Sequence, residues 1–508
     1  MSETRAARSA VALPDTPPRV RRESAFEPVG AAWHEFQEGD PSRQFATLTF
    51  IRGGLVAIGV TLLAGILGAL YSVPALAPGL QALGLDLRQL RPIHTTFASA
   101  WIFLGGVAVV HRWLQDHGGP ATRGDRIRLR VQVACWAIAG AGILVTLLLR
   151  IGSGREYVGF HPIFSAFILA GWLAYTWNFF RVAGPRFFER PIYMTMWGVG
   201  MLFFIYTFLE QHAYLLPAVF GDPVHDLRVQ WKATGTLVGS FNLFVYGSIV
   251  YIGERISRDP GYGHSRIAYA LFGVGLLNSF TNFGHHTYHL PQDHLVKWIS
   301  FVVSMTEVII LARAVSDLWA LVRTRSGGPF CAARGSFAAS KYWTVFILFS
   351  SVLISVPPLN AVIHGTYAVT GHAMGATIGI DTMVLLGALI WILGEHLRAR
   401  EGEASSEVLH TAGMRRTVIG LNLGVAALVL WLHVSGVVTG VTRLSFAPDE
   451  PYVPPAWLGA WNGALFAATG GLALLFFAAL LARLTPAAFR YWRPANVRPI
   501  RLAEPDAR

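Results

Sequence analysis

The feature that most limits this chain is the length of its uninterrupted apolar blocks. The first five cover 55–71, 97–110, 131–149, 164–180 and 199–209. With their flanks they reach the ~20 residues that cross a hydrocarbon core of about 30 Å. Inside lipid only helices or closed barrels satisfy every backbone polar group. The ten-residue alternation of a barrel strand is absent here, so the blocks predict an all-α, polytopic bundle. Composition agrees: 53% of the 508 residues are hydrophobic and 14% charged, against about a quarter charged in soluble domains.

Twelve spans are predicted, at 50–72, 90–113, 131–150, 160–182, 191–215, 229–252, 267–289, 297–322, 341–360, 366–394, 416–440 and 459–482. Polar residues 1–49 read as a disordered cytoplasmic tail, 50–485 as the membrane domain and 486–508 as a basic cytoplasmic tail. Pro357–Pro358 marks a helix end, because proline cannot continue one. The net charge of +12 is not the signature of a nucleic-acid partner, since no basic run is interleaved with aromatics in a soluble domain. Arginines instead cluster in every second connection, as in 123–130, 181–190, 255–258, 323–334 and 398–416. That asymmetry predicts a multi-pass protein of a bacterial inner (plasma) membrane, in contact with the lipid bilayer, with both termini in the cytoplasm. Cys135 and Cys331 are too far apart in sequence for a metal motif, and no Cys-x-x-Cys-His is present, so no haem c is carried on this chain.

Counted from a cytoplasmic start, His94, the pair His285–His286 and His372 fall at one depth, toward the outside. Ionisable side chains inside a membrane are costly and mark function. His433 reads as a hydrogen-bonded structural residue; His111 and His396, at cytoplasmic helix ends, read as snorkelling or dipole partners. In Gly371-His372-Ala373-Met374-Gly375, two residues rotate a helix by about 200°, so His372 and Met374 face opposite ways and one helix can serve two haems. The two glycines would leave room for the rings. His94 is then a natural partner for one iron, while a haem with a single protein ligand stays open to a gas. The alternative for Met374 is core packing.

At these residues the chain resembles the haem–copper oxidase superfamily subunit I, above all the nitric-oxide reductase large subunit, with features of C-type cytochrome oxidases. Arg91-Pro92-Ile93-His94-Thr95 resembles the low-spin haem motif. Gly154-Arg155-Glu156-Tyr157 resembles an outer-loop motif in which Glu156 would help bind calcium. Gly284-His285-His286 resembles the two-histidine motif for a non-haem metal, with Glu307 on the next helix. His364-Gly365-Thr366, followed by Gly371-His372, resembles the start of helix 10 and the high-spin haem ligand.

The resemblance implies a twelve-helix bundle and two haem groups of b type. It also implies non-haem iron or copper held by His285, His286 and Glu307. Two departures stand out: Met374 replaces a histidine ligand of the low-spin haem, and Gly235 stands where a third metal histidine is expected on helix 6. Glu210, His212 and His289 are further candidates to complete that metal. The implied activity is reduction of nitric oxide to nitrous oxide, with electrons from a cytochrome c, soluble or in a partner subunit, and Glu307 as catalytic residue. The alternatives are a terminal oxygen reductase with an atypical metal site, binding O2, and a non-catalytic haem relay or gas-binding protein.

Overall fold

The computed structural model describes residues 40–490, except 186, 258–259, 282, 289, 326–331, 402 and 448; the side chains of 257, 285, 324–325 and 403–405 also lie outside the description. The bundle helices are α1 (Pro41–Tyr71), α2 (Leu87–His117), α3 (Arg123–Leu148), α4 (Ile163–Ala183), α5 (Ile192–Glu210), α6 (Pro223–Ser257), α7 (Arg266–Thr281), α8 (His294–Arg325), α9 (Ala332–Ser355), α10 (Tyr367–Glu401), α11 (Ala412–Arg443) and α12 (Ala456–Phe489). Eleven of them are long and apolar enough to cross a membrane. The exception is α7, of 16 residues, which is followed by the short turn Phe283–His286 in the place of the span expected at 267–289.

The first span starts nine residues earlier than hydropathy suggests, so 41–49 belong to a helix and not to a tail. Asp40 caps it by accepting from the Ser42 amide, and Pro41 occupies the first turn, where a missing N–H costs nothing. Arg43, Gln44 and Thr47 are polar yet buried, which hides this turn from a hydropathy reading. At the other end α12 runs to Phe489, past the expected boundary at 485. Residues 1–39 and 491–508 of the expected tails, and Cys331, lie outside the described residues.

Four helices make the centre. The apolar windows of α2, α5, α6 and α10 are 67, 67, 89 and 78% buried, against 22% for α3, α8 and α12 on the rim. Their close approach needs small residues: a Cβ on Gly105 would lie 3.1 Å from Leu385, and one on Gly106 2.8 Å from Phe244. The Trp101 indole donates to Thr382 Oγ1 at 2.9 Å and ties α2 to α10. Within α10, Gly375–Thr382 is wound as a π-helix, a widened turn that often accompanies function.

One end of the bundle is held by buried ion pairs. Asp116 of α2 and Glu395 of α10 are both bound by Arg112 (α2) and Arg255 (α6), at 2.6–3.2 Å. Beside them Asp125 of α3 gathers Arg43 (α1), Arg128 and Arg181 (α4). His111 and His396 are buried here, the first stacked on Phe50 and the second beside Gln44. Neither snorkels, because this arginine end is packed and not frayed.

Candidate functional site

The opposite end carries His94, His286 and His372. His94, on α2, puts Nδ1 2.9 Å from the Thr61 carbonyl of α1. A carbonyl only accepts, so Nδ1–H donates and Nε2 of the neutral ring is left as a lone pair. The rings of the two helices fit because residue 65 is glycine: a Cβ there would come within 2.8 Å of His94 Nδ1. His372, on α10, is placed in the same way by a different partner, with Nδ1 3.0 Å from Ser350 Oγ of α9. Trp101–Thr382 fixes the relative height of α2 and α10. His94 lies seven residues before Trp101 and Met374 eight before Thr382, so both sit about 10 Å from that tie, toward the same end. Met374 packs against the main apolar cluster, which also contains Ile93 and Phe97 on either side of His94. The space beside Gly371 and Gly375, expected to admit haem rings, is taken by His433 and Ile347.

His286 lies in the turn after α7. Its ring stacks on Trp231 of α6, with centroids 5.8 Å apart and planes 4° from parallel, and it interacts electrostatically with His364 and His372. The turn is held by Gln292, which donates to the Gly284 carbonyl and accepts from Thr287. The side chain of His285 and all of His289 lie outside the described residues. Gly235 is buried one turn beyond Trp231.

Glu307 is not brought to this layer. Its Oε1 accepts from Tyr246 at 2.8 Å and its Oε2 from Asn278, and Asp381 interacts with it electrostatically. Tyr246 is fifteen residues beyond Trp231 on the same helix, about 22 Å of axis. A carboxylate at that depth cannot share a metal with a ring stacked on Trp231, since metal–ligand bonds are about 2 Å. Spacing along α8 was a poor guide here because it says nothing of where α6 and α7 meet it. Glu210 is paired with Lys232 at 2.7 Å, and His212 uses both nitrogens, on Phe208 O and Ser165 Oγ. Among the described residues no three His, Cys, Asp or Glu side chains are grouped to hold a metal ion. His94 and His372 therefore fit haem irons, and the described residues do not complete a second metal site.

In the loop between α3 and α4, Glu156 Oε2 accepts from Arg91 at 2.8 Å. A calcium ion there would have to share Glu156 with a guanidinium. Tyr157 holds a left-handed φ of 60°, an uncommon conformation for a side-chain-bearing residue. Burial, reinforced by Glu156, pushes its phenol up to about 12. Ser350, Trp231, Tyr246, Asn278 and Asp381 were not singled out in sequence. Only Asp381 carried a signal, as an ionisable residue inside an apolar span.

These features define a class: a polytopic all-helical membrane protein whose central helices present neutral imidazoles with one nitrogen open. Residues 46–482 match the family described as Cytochrome C and Quinol oxidase polypeptide I, and the chain belongs to that family. It is thus a haem–copper oxidase subunit I homologue, of a family of respiratory oxidoreductases that bind haems and a copper or non-haem metal. The fold is similar to that of a solved heme-copper terminal oxidase dimer, with a TM-score of 0.68 and 16% identity over 90% of this chain and 86% of that one.

Proposed function

We propose that the chain is the haem-bearing subunit of a respiratory reductase that converts nitric oxide to nitrous oxide with electrons from a cytochrome c. The observation that carries the reading is the matched pair of His94 and His372, each with Nδ1 engaged inside the protein and Nε2 left as a lone pair. When bound, haem would supply an electron-transfer centre held by His94 and Met374 and a gas-binding centre held by His372. A methionine in that place raises the reduction potential relative to two histidines.

The chain's own residues supply position and protons. Two NO, two electrons and two protons give one N2O and one water. Glu307, held by Tyr246 and Asn278 in the bundle interior, is the buried carboxyl suited to pass protons toward the histidine end. Glutamate at 307 supports NO over oxygen, whereas Gly235, standing where the resemblance places a third metal histidine, favours a non-catalytic haem protein. The arginine end is assigned to the cytoplasm, so the donor would approach the histidine end. A second reading, a haem relay or gas-binding protein, draws support from the missing three-ligand group among the described residues.

The test is haem content, then gas consumption by the purified full-length protein with reduced cytochrome c. Two b haems per chain and NO uptake are expected, and Glu307→Gln should keep both haems while slowing turnover about 10²-fold or more. Oxygen uptake without NO uptake would make it a terminal oxidase. Bound haem with neither gas consumed would favour the relay, and a haem-free protein would overturn all three readings.

A further inference from the structure

Ser350 does more than meet His372. The same hydroxyl lies 2.7 Å from His433 Nε2 of α11, and His433 Nδ1 lies 2.8 Å from the Val429 carbonyl one turn back. Hydrogen-bond chemistry orders this chain in one direction. The Val429 carbonyl can only accept, so His433 Nδ1–H donates to it and, in the neutral ring, Nε2 accepts. Ser350 must then donate to His433, which leaves its oxygen to accept from His372 Nδ1–H. Every proton is thereby assigned, and the one group left with an open pair is His372 Nε2.

The surroundings are shaped to keep the relay in place. Residue 371 is glycine, and a Cβ there would lie 2.7 Å from His433 Nδ1; the ring rests against the backbone next to His372. Phe346, one turn before Ser350 on α9, stands edge-on to His433, with centroids 5.6 Å apart and planes at 87°. Three helices, α9, α10 and α11, thus converge on a single hydroxyl.

We propose that Ser350 and His433 are positioning residues that fix the tautomer and ring orientation of His372, and so set the strength of its bond to the gas-binding haem. Outer partners of this kind orient a ligating imidazole and raise its basicity. The hydroxyl is an indirect link: a donor–acceptor group inserted between two imidazoles transmits the Val429 carbonyl's polarity across three helices. The inference rests on the assignment of His372 as haem ligand made above.

The test uses the full-length protein with its haems bound, and reads the iron–histidine stretching band of the reduced high-spin haem by resonance Raman. Ser350→Ala should move the band to lower frequency and weaken retention of that haem against a competing apo-globin by roughly tenfold. His433→Phe, which keeps an aromatic ring but no acceptor, should move it in the same direction. Ser350→Thr should return it to the wild-type position, which a purely space-filling serine would not require. Wild-type band positions in both Ser350→Ala and His433→Phe, with the haem present, would overturn the relay and leave the haem assignment standing. If either variant fails to fold, the other decides. A wild-type protein that binds high-spin haem with no iron–histidine band would overturn the His372 assignment, and the relay with it.

Discussion

The two ends of the bundle treat buried polar groups in opposite ways. At the arginine end charge answers charge: Arg112 and Arg255 share Asp116 and Glu395, and Asp125 gathers three guanidiniums. At the histidine end two rings, His94 and His372, are each satisfied on one side only. His94 spends Nδ1 on Thr61 and His372 spends it on Ser350, leaving Nε2 in both cases as an electron pair. The charged layer fastens helices together; the histidine layer offers ring nitrogens on two central helices to a ligand. Removing one member of a buried ion pair strands its partner's charge, whereas an open imidazole nitrogen is a ligand in waiting.

The sharpest way to break this contrast is His372→Ala. It should abolish binding of the high-spin haem and lower turnover by more than the 10–100-fold expected for an outer-shell change, with the other haem's spectrum intact. Loss of the fold instead would make His372 structural and erase the distinction between the ends. Asp116→Asn tests the closed end. With Arg112 almost fully buried, the change should cost about 3 kcal/mol of stability, read as a lower melting temperature with an unchanged haem spectrum. A shifted spectrum would mean that the arginine end reaches the haems.

Gly65→Ala sharpens the open end, since its Cβ would press on His94 at 2.8 Å. A penalty of about 1–3 kcal/mol is expected, appearing mainly as weakened low-spin haem binding. Full haem occupancy with an unmoved spectrum would show that His94 has room to spare. Arg91→Ala should do least. Arg91 is 70% exposed in its pair with Glu156, so the change should cost less than about 1 kcal/mol. A larger loss, or a new dependence on calcium, would show that the guanidinium stands in for a metal ion.

Most of the fold and part of the site were legible in the residues themselves. Apolar blocks of membrane length and histidines on the spans at 90–113 and 366–394 specified a helical membrane bundle and two haem-ligand candidates. Each of those signals is local, carried by composition or by rise per residue along one helix. The start of α1 was misread because its first turn is polar yet buried by neighbours, which no hydropathy window sees. The depth of Glu307 and the use of the space beside Gly371 were decided by the register between helices. So was the Ser350–His433 relay, which joins residues 83 positions apart. Inter-helix register is set by side-chain packing across many contacts. A single chain of letters states what can be ligand and what can be lipid-facing, and only the packed bundle decides which groups meet.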